Sequence, residues 1–457
     1  MTPHDDFSAG EWGRPLDVAV IGSGVSGLGA AWLLSKRHRV TLYEKESRLG
    51  GHSHTVEVPA KDRAGNARAI PVDTGFIVFN EATYPNLIAL FDHLRVGSET
   101  SNMSFAASID RGRIEYSGGT WTGLFAQASN LFRPGHWRML RDAMRFFREG
   151  TAMAASGAEG PSLGEFLEAG GYSREFVENH LIPMAAAIWS CPPAQMLEFP
   201  ARSFCAFFRN HGLLQIFDRP LWRTVTGGSR EYIKAILADI GPALGREGGA
   251  ASVRVEPGGI KVRGADGRTR RFDRVVMAGH ADESLALLDN PTQAERAILG
   301  AFAFQPNLAV LHQDEALMPQ RKLAWASWNY LAEREGADMT GERLISVTYW
   351  MNKLQNLDRD YPLFVSLNPI RAPRPETVLG AWEYMHPAFD ARTLAAQERL
   401  PEIQGVRGLH FAGAWTGYGF HEDGLRSGLE AAERLGVRRP WSVAPAPVAA
   451  PLAQAAE

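Results

Sequence analysis

The chain has 457 residues, 45% hydrophobic and 22% charged, enough for a sizeable core and for about three ordinary domains or two large ones. Its 48 Lys and Arg against 51 Asp and Glu leave a net charge of −3, which excludes a globally basic nucleic-acid binder but not a local basic patch. Two cysteines, Cys191 and Cys205, exclude a disulfide framework and an all-cysteine metal site, and suit a reducing compartment.

The opening residues Met1 to Arg14 are polar and acidic, with no apolar segment after a basic start. No run approaches the roughly 20 apolar residues of a spanning helix. A cytoplasmic protein is expected, with any membrane contact peripheral and on the inner face.

Leu16 to Ile21 form a short apolar strand, followed at once by Gly22-Ser23-Gly24-Val25-Ser26-Gly27. A helical run begins there, with Leu28, Ala31 and Leu34 at i, i+3 and i+6. A second strand, Val40 to Tyr43, ends in Glu44, 22 residues after Gly22. This order is that of a βαβ dinucleotide site. Gly22 permits the tight turn, Gly24 lets a pyrophosphate approach the backbone, and Gly27 lets helix and strand pack closely. The helix N-terminus offers unpaired N–H groups to phosphate. Glu44 can accept hydrogen bonds from ribose hydroxyls and would repel a 2′-phosphate, which argues against NADP. Downstream, Lys45, Arg48, Leu49, Gly50, Gly51 and His52 put a glycine pair six residues beyond the acid.

With that pair, the segments VAVIGSGVSGLGAAWLL and VTLYEKESRLGGHSHT resemble the opening of the flavin-containing amine oxidase and phytoene desaturase superfamily. The resemblance implies an α/β protein: a Rossmann-like FAD-binding domain interleaved with an α+β substrate domain. It implies FAD held by Gly22, Ser23, Gly24, Ser26, Gly27, Glu44, Lys45, Gly50, Gly51 and His52. The family commonly has arginine where this chain has His52.

The stretch that follows is rich in aromatic residues, among them Phe105, Trp121, Trp137, Trp189, Phe204, Phe207 and Phe208. They read as a second core, part of which can line an apolar pocket. Asn80, Asn210, His211, Asn329, Asn352 and Gln355 are polar residues set among apolar neighbours. Trp137, Leu140, Met144 and Phe147 recur at helical spacing, and Arg138, Arg141, Arg145 and Arg148 repeat it one residue later, about 100° round the helix. Leu131 to Gly150 carries five arginines against Asp142 and Glu149, a net +3. The spacing predicts a helix that buries its aromatic stripe. The alternative is that this Arg138–Arg148 helix touches anionic lipid.

Further on, Thr226-Gly227-Gly228-Ser229-Arg230-Glu231-Tyr232 precedes another helical run. Val253 to Val255 and Ile260 to Val262 read as a strand pair, and Phe272 to Gly279 as a strand returning to the sheet. By the resemblance, the backbone at Val253 lies beside the adenine. Leu409 to Gly413 read as a buried strand, then come Ala414 to Gly424 and a helical run from Leu425 to Leu435. This resembles the family's closing FAD motif and implies cofactor contacts from Gly413, Trp415, Tyr418, Phe420, Gly424 and Leu425. Such a helix N-terminus favours the negative charge of reduced flavin. No cysteine stands near Trp415, so the FAD is expected to be non-covalent, and no His/Cys cluster suggests a metal.

The expected domains are therefore 14–80, 215–300 and 400–437 for FAD, and 81–214 and 301–399 for substrate, with 438–457 a disordered tail. No second G-x-G-x-x-G follows a strand, which favours taking hydride from an organic substrate rather than from NAD(P)H. The stretches DTGFIVFNEATYPNL, IPMAAAIWS, NHGLL and GFHEDG resemble a narrower bacterial subgroup, the flavin-dependent desaturases of methylated fatty acyl chains in furan fatty acid synthesis. That likeness implies an apolar small-molecule or lipid acyl substrate, with hydride passing from a substrate carbon to the flavin. His421 and Glu422 are the nearest candidates for a catalytic base, His421 first for its near-neutral ordinary pKa. Asp423 reads as a helix cap. An amine or porphyrinogen-type oxidase and a non-redox flavin-holding isomerase or lipid-binding module remain open.

Overall fold

Five short strands, all parallel, form the sheet that carries both glycine-rich motifs. Their order is Gly245–Glu247, Arg39–Tyr43, Asp17–Ile21, Arg274–Met277 and Leu409–Phe411. The computed structural model describes residues 14–156, 160–189, 193–215, 219–334 and 343–442. Val18 and Val20 point into one core, Ala19 and Ile21 into another. Both faces of the sheet are covered, which is why its strands read as unbroken apolar runs.

The helix Val25–Leu34 has every residue buried. A helix apolar all round needs cover on all sides. Helix His421–Glu433 supplies much of it, at backbone range. A Cβ on Gly29 would stand 2.6 Å from Leu425 Cδ1, and one on Gly428 only 2.0 Å from the Ser26 carbonyl oxygen. The last helix begins at His421, four residues before the apolar run that announces it, because Asp423 accepts from the backbone N–H of Tyr418 and Phe420 and organises the first turn.

The second layer is a seven-stranded sheet in the order Val378–Ala388, Ala303–His312, Phe364–Leu367, Arg343–Trp350, Trp328–Arg334, Phe105–Ile109 and Ile114–Ser117. Only Trp328–Arg334 and Phe105–Ile109 pair in parallel. The expected boundary at residue 80 is not where the cores divide. The hairpin Thr55–Lys61/Ala67–Asp73 places Val58, Ile70 and Val72 in the core of the seven-stranded sheet. Helix Pro85–Leu94 instead sends Leu87, Leu90 and Phe91 into the core beside Leu28. The strands Ala250–Glu256, Gly259–Gly264 and Thr269–Phe272 form a separate antiparallel sheet, as the pattern from Val253 to Val262 predicts.

A helical region covers the far end of the second sheet. Its longest helix, Pro134–Ala155, buries His136, Met139, Ala143, Phe146, Gly150 and Ala154. The expected stripe of Trp137, Leu140, Met144 and Phe147 is thus misplaced by one residue, with Trp137 and Met144 exposed. Both stripes carry aromatics, and the choice falls to Phe146 because Phe166, Tyr172, Phe176 and Phe204 surround it.

The tail also needs correction. Trp441 stacks on Trp32 at 5.5 Å, and Arg439 pairs with Glu433, so the chain is docked past residue 438. Residues 443–457 lie outside the described residues, as do Cys191 and the side chain of Trp189. Among the described residues no helix is long and apolar enough to cross a membrane.

Candidate functional site

The first glycine motif closes on itself. Gly22 N–H donates to the Tyr43 carbonyl and Gly50 N–H to the Ser23 carbonyl, at 2.8 and 3.0 Å. Gly22 and Gly50 lie at φ +101° and +117°, which side chains disfavour. Glu44 reaches back over this turn, its carboxylate accepting from Ser23 N–H at 2.8 Å and Ser23 Oγ at 2.5 Å. Gly22, Ser23, Gly24, Glu44, Gly50 and Gly51 therefore share one surface at the carboxyl ends of the parallel strands, the usual ligand edge of such a sheet. Ser26 and Gly27 lie buried in the first turn of helix Val25–Leu34, directly behind it.

These residues fit a dinucleotide. A Cβ on Gly24 would meet no atom within 4 Å, whereas one on Gly27 would stand 1.8 Å from the Gly22 carbonyl oxygen. Gly27 is needed for packing, and Gly24 keeps backbone accessible. Gly24 is also the N-cap of a helix that no side chain caps, so its N–H groups are available to phosphate.

The remaining residues expected at the cofactor make these contacts within the protein. Lys45 is exposed and pairs with Glu283 at 2.7 Å. Val253 is buried in the core that holds Tyr43 and Trp415, beside Leu288. Trp415 faces that core too: its Nε1–H donates to the Gly279 carbonyl at 3.1 Å and its ring lies edge-on to Phe302. Gly413 N–H donates to Ser427 Oγ, and Gly424 lies against Val25 and Ser26. Leu425 packs on Gly29. Tyr418 and Phe420 turn away toward the helical region, their rings 6.2 and 5.1 Å from Phe207.

His421 is stacked on Phe76 at 3.8 Å, and its Nε2 lies 2.8 Å from Tyr232 Oη and 3.1 Å from Ser53 Oγ. Burial pushes its pKa down to about 3. Glu422 is committed elsewhere: its carboxylate accepts from Asn86 N–H, Asn86 Nδ2 and Leu87 N–H at 2.7–3.0 Å, tying down the start of helix Pro85–Leu94. Burial raises its pKa to about 7 despite those donors. As placed, it is a clamp between two helices rather than a base facing a ligand.

Next to His421 runs a seam of imidazoles that the sequence did not announce. The His52 ring lies 5.2 Å from Tyr384, 5.6 Å from His386 and 6.4 Å from His280. His280 stacks on Phe304, and His54 stands edge-on to Trp382 with its Nδ1 2.9 Å from Tyr384 Oη. Burial holds all four below the ordinary imidazole value, with His54 and His386 at about 4. The seam is neutral at physiological pH. Tyr384 and His386 stand two residues apart on strand Val378–Ala388, and His52 and His280 reach them from the loops after Arg39–Tyr43 and Arg274–Met277, so the fold rather than spacing brings these rings together. Among the described residues no group of three His, Cys, Asp or Glu side chains could hold a metal.

Asp73 links the parts. It accepts from Ser229 N–H and Oγ, Thr55 Oγ1 and Gln355 Nε2, which gives the Thr226–Tyr232 motif a structural task. Asn329 and Asn352 are likewise spent on backbone partners.

No curated protein matches the chain. Solved structures do. A CLA-producing fatty acid isomerase from P. acnes superposes with TM-score 0.63 at 14% identity, over 91% of this chain and 98% of that one. Cyclohexylamine oxidase from Brevibacterium oxydans gives TM-score 0.63 at 15% identity over 93% and 99%. Putrescine oxidase bound to putrescine gives 0.62 at 15% over 92% and 99%. At these identities the likeness establishes the fold, the two-domain arrangement of the amine oxidases. The sequence pattern of one family, described as flavin containing amine oxidoreductase, matches residues 25–356, well over half of the chain, and so the protein belongs to the flavin-containing amine oxidoreductases.

Proposed function

We propose that the protein is an oxidoreductase that holds FAD non-covalently and removes hydride from a carbon of an apolar substrate, a fatty acyl chain of membrane lipid, methylated in its natural form, which it desaturates. The observation that carries this reading is the wall leading away from the closing motif. Tyr418 and Phe420 meet Phe207, Phe207 meets Phe208, and Phe204 joins Phe208 to Phe146 in the helical region. His211, stacked on Phe207 at 3.9 Å, is neutral, its pKa lowered to about 4 by burial. A wall of rings with an uncharged imidazole suits a hydrocarbon better than an ammonium ion.

When bound, FAD supplies the hydride acceptor. The Gly22–Gly27 turn, Gly50, Gly51 and Glu44 would hold it. The aromatic wall excludes water and orients the acyl chain, so that positioning provides much of the rate. His421 stands neutral in a fixed hydrogen-bonded pose. With a pKa of about 3 it is a weak base, so its role is to hold Ser53 and Tyr232 in place.

The test is anaerobic flavin spectroscopy of the purified protein with extracted lipids, amines and tetrapyrroles. Bleaching by acyl lipid supports the reading. Bleaching by amines or tetrapyrroles alone assigns an oxidase of that class, and no substrate-linked bleaching assigns a non-redox role. For His421→Ala, a loss in the flavin-reduction rate below about tenfold fits positioning, whereas a general base would cost about 10²–10⁴-fold. Denaturation should release the flavin from the protein.

A further inference from the structure

We propose that the face formed by helix Trp121–Leu124, the turn Ala128–Phe132, helix Pro134–Ala155 and the turn Lys322–Ala324 docks on an anionic lipid bilayer. The inference stands apart from the reaction assigned above, because it concerns where the protein sits. Phe132, Trp121 and Leu323 are 86%, 72% and 72% exposed, more than any other large apolar side chain among the described residues. They do not lie scattered. The Lys322–Ala324 turn packs against helix Trp121–Leu124. Phe125 stacks parallel to Trp121 at 6.0 Å and meets Trp137 at 5.4 Å. Trp137 Nε1–H in turn donates to the Leu131 carbonyl, next to Phe132.

The outer stripe of the long helix names the occupant. Trp137, Arg141, Met144 and Arg148 fall within about 60° of one another at 100° per residue. Apolar and cationic side chains alternate along it. Arg141 and Arg148 are largely exposed, and each meets its acidic neighbour only at 3.4 Å. Arg133 donates to the Arg113 carbonyl and to the Asn130 and Gln127 side chains. Asp142 is fully buried, its carboxylate accepting from Ser173 N–H and meeting Arg141 from beneath. Arg138 pairs with Glu175 and Arg145 donates to the Gly170 carbonyl, so the outward charge of this face is that of Arg141 and Arg148. Indole rings prefer the headgroup level, and arginine stems lie along apolar surface with the charge in the phosphate zone. A chain of net −3 that concentrates +3 between Leu131 and Gly150 is complementary to anionic headgroups. The same helix turns Phe146 and Phe147 inward to a small cavity lined also by Phe176, His180, Leu181 and Met184. Membrane side and hydrocarbon-lined side are thus two faces of one element.

The experiment is co-sedimentation of the flavin-loaded protein with vesicles of phosphatidylcholine alone or with about a third phosphatidylglycerol. Binding should rise at least about tenfold with phosphatidylglycerol and weaken in high salt. Arg141→Glu with Arg148→Glu should cost on the order of 25-fold. Trp121→Ser with Phe132→Ser should abolish binding while flavin absorbance and thermal unfolding stay those of the parent. With brominated lipid, parent tryptophan fluorescence should be quenched, and Trp121→Phe with Trp137→Phe should remove most of that quenching. Equal sedimentation with both vesicle types, or binding indifferent to both sets of variants, overturns the proposal. So does a parent that fails to bind vesicles but dimerises through this face and becomes monomeric in the serine variants.

Discussion

Two helices of this protein obey opposite rules. Helix Val25–Leu34 is buried at every position, and it is covered by backbone as much as by side chains, through Gly29, Gly424 and Gly428. Helix Pro134–Ala155 is buried along one stripe only, and its outer face carries tryptophan, methionine and arginine. The first is fixed by what cannot be added to it. The second is fixed by which of two aromatic stripes finds a pocket. Specificity by exclusion leaves a glycine signature, whereas specificity by partner choice leaves almost none.

The comparison is broken most forcefully on the inner stripe. Phe146→Ala removes a fully buried ring and should cost about 3–5 kcal/mol in denaturant unfolding. At the glycine seam, Gly428→Ala drives a methyl into the Ser26 carbonyl and should cost on the order of 3 kcal/mol, with flavin content falling alongside. Glu422→Ala leaves Asn86 and Leu87 N–H groups unpaired beneath helix Pro85–Leu94, for a loss of about 2–3 kcal/mol.

Acid comes next. A buried imidazole with a folded pKa below its unfolded value near 6.5 gains protons on unfolding. His52, His54, His280, His386 and His421 are all of this kind. Stability should be unaffected by them above pH 6.5 and fall below it, by about 1.4 kcal/mol per pH unit for each histidine until its own folded pKa is reached. Glu422 and Asp73, raised to about 7 and about 6, act in the opposite sense over the same range and offset part of the loss. The urea midpoint should therefore drop between pH 6.5 and 4.5, and His421→Gln should flatten that slope by about one proton. The smallest effects sharpen the contrast. Gly24→Ala and Trp137→Ser should each move stability by no more than about 0.5 kcal/mol, yet Gly24→Ala should weaken flavin retention on dialysis.

Legibility followed the same division. The strand, turn and helix from Asp17 to Leu34 and the closing strand at Leu409 could be read because their residue types have few other uses. Gly22, Gly24 and Glu44 could be grouped from their spacing, and Gly50 only through the family resemblance. The imidazole seam could not be read, because His52 and His280 stand on two loops that leave the parallel sheet and His386 on a strand of the other. Glu422 looked reactive because it adjoins a cofactor motif, but its partner Asn86 lies 336 residues away. The helix Pro134–Ala155 was recognised and turned by about 100°, since hydrophobic period fixes an axis before it fixes a face. Trp441 was lost in a run of alanine and proline that hides a single strong anchor.

The glycine seam also dictates when the protein can be finished. His38 Nε2 lies 2.9 Å from the carbonyl oxygen of Leu435, 397 residues later, and helix Val25–Leu34 lacks much of its cover until helix His421–Glu433 arrives. During synthesis, this apolar helix thus leaves the ribosome long before the partner that covers much of it. Contacts of such sequence separation fold slowly and leave sticky surface waiting. A nascent chain of this design calls for a chaperone on the waiting helix, and the glycine-rich turn gains its full cover only once the later helix has been made.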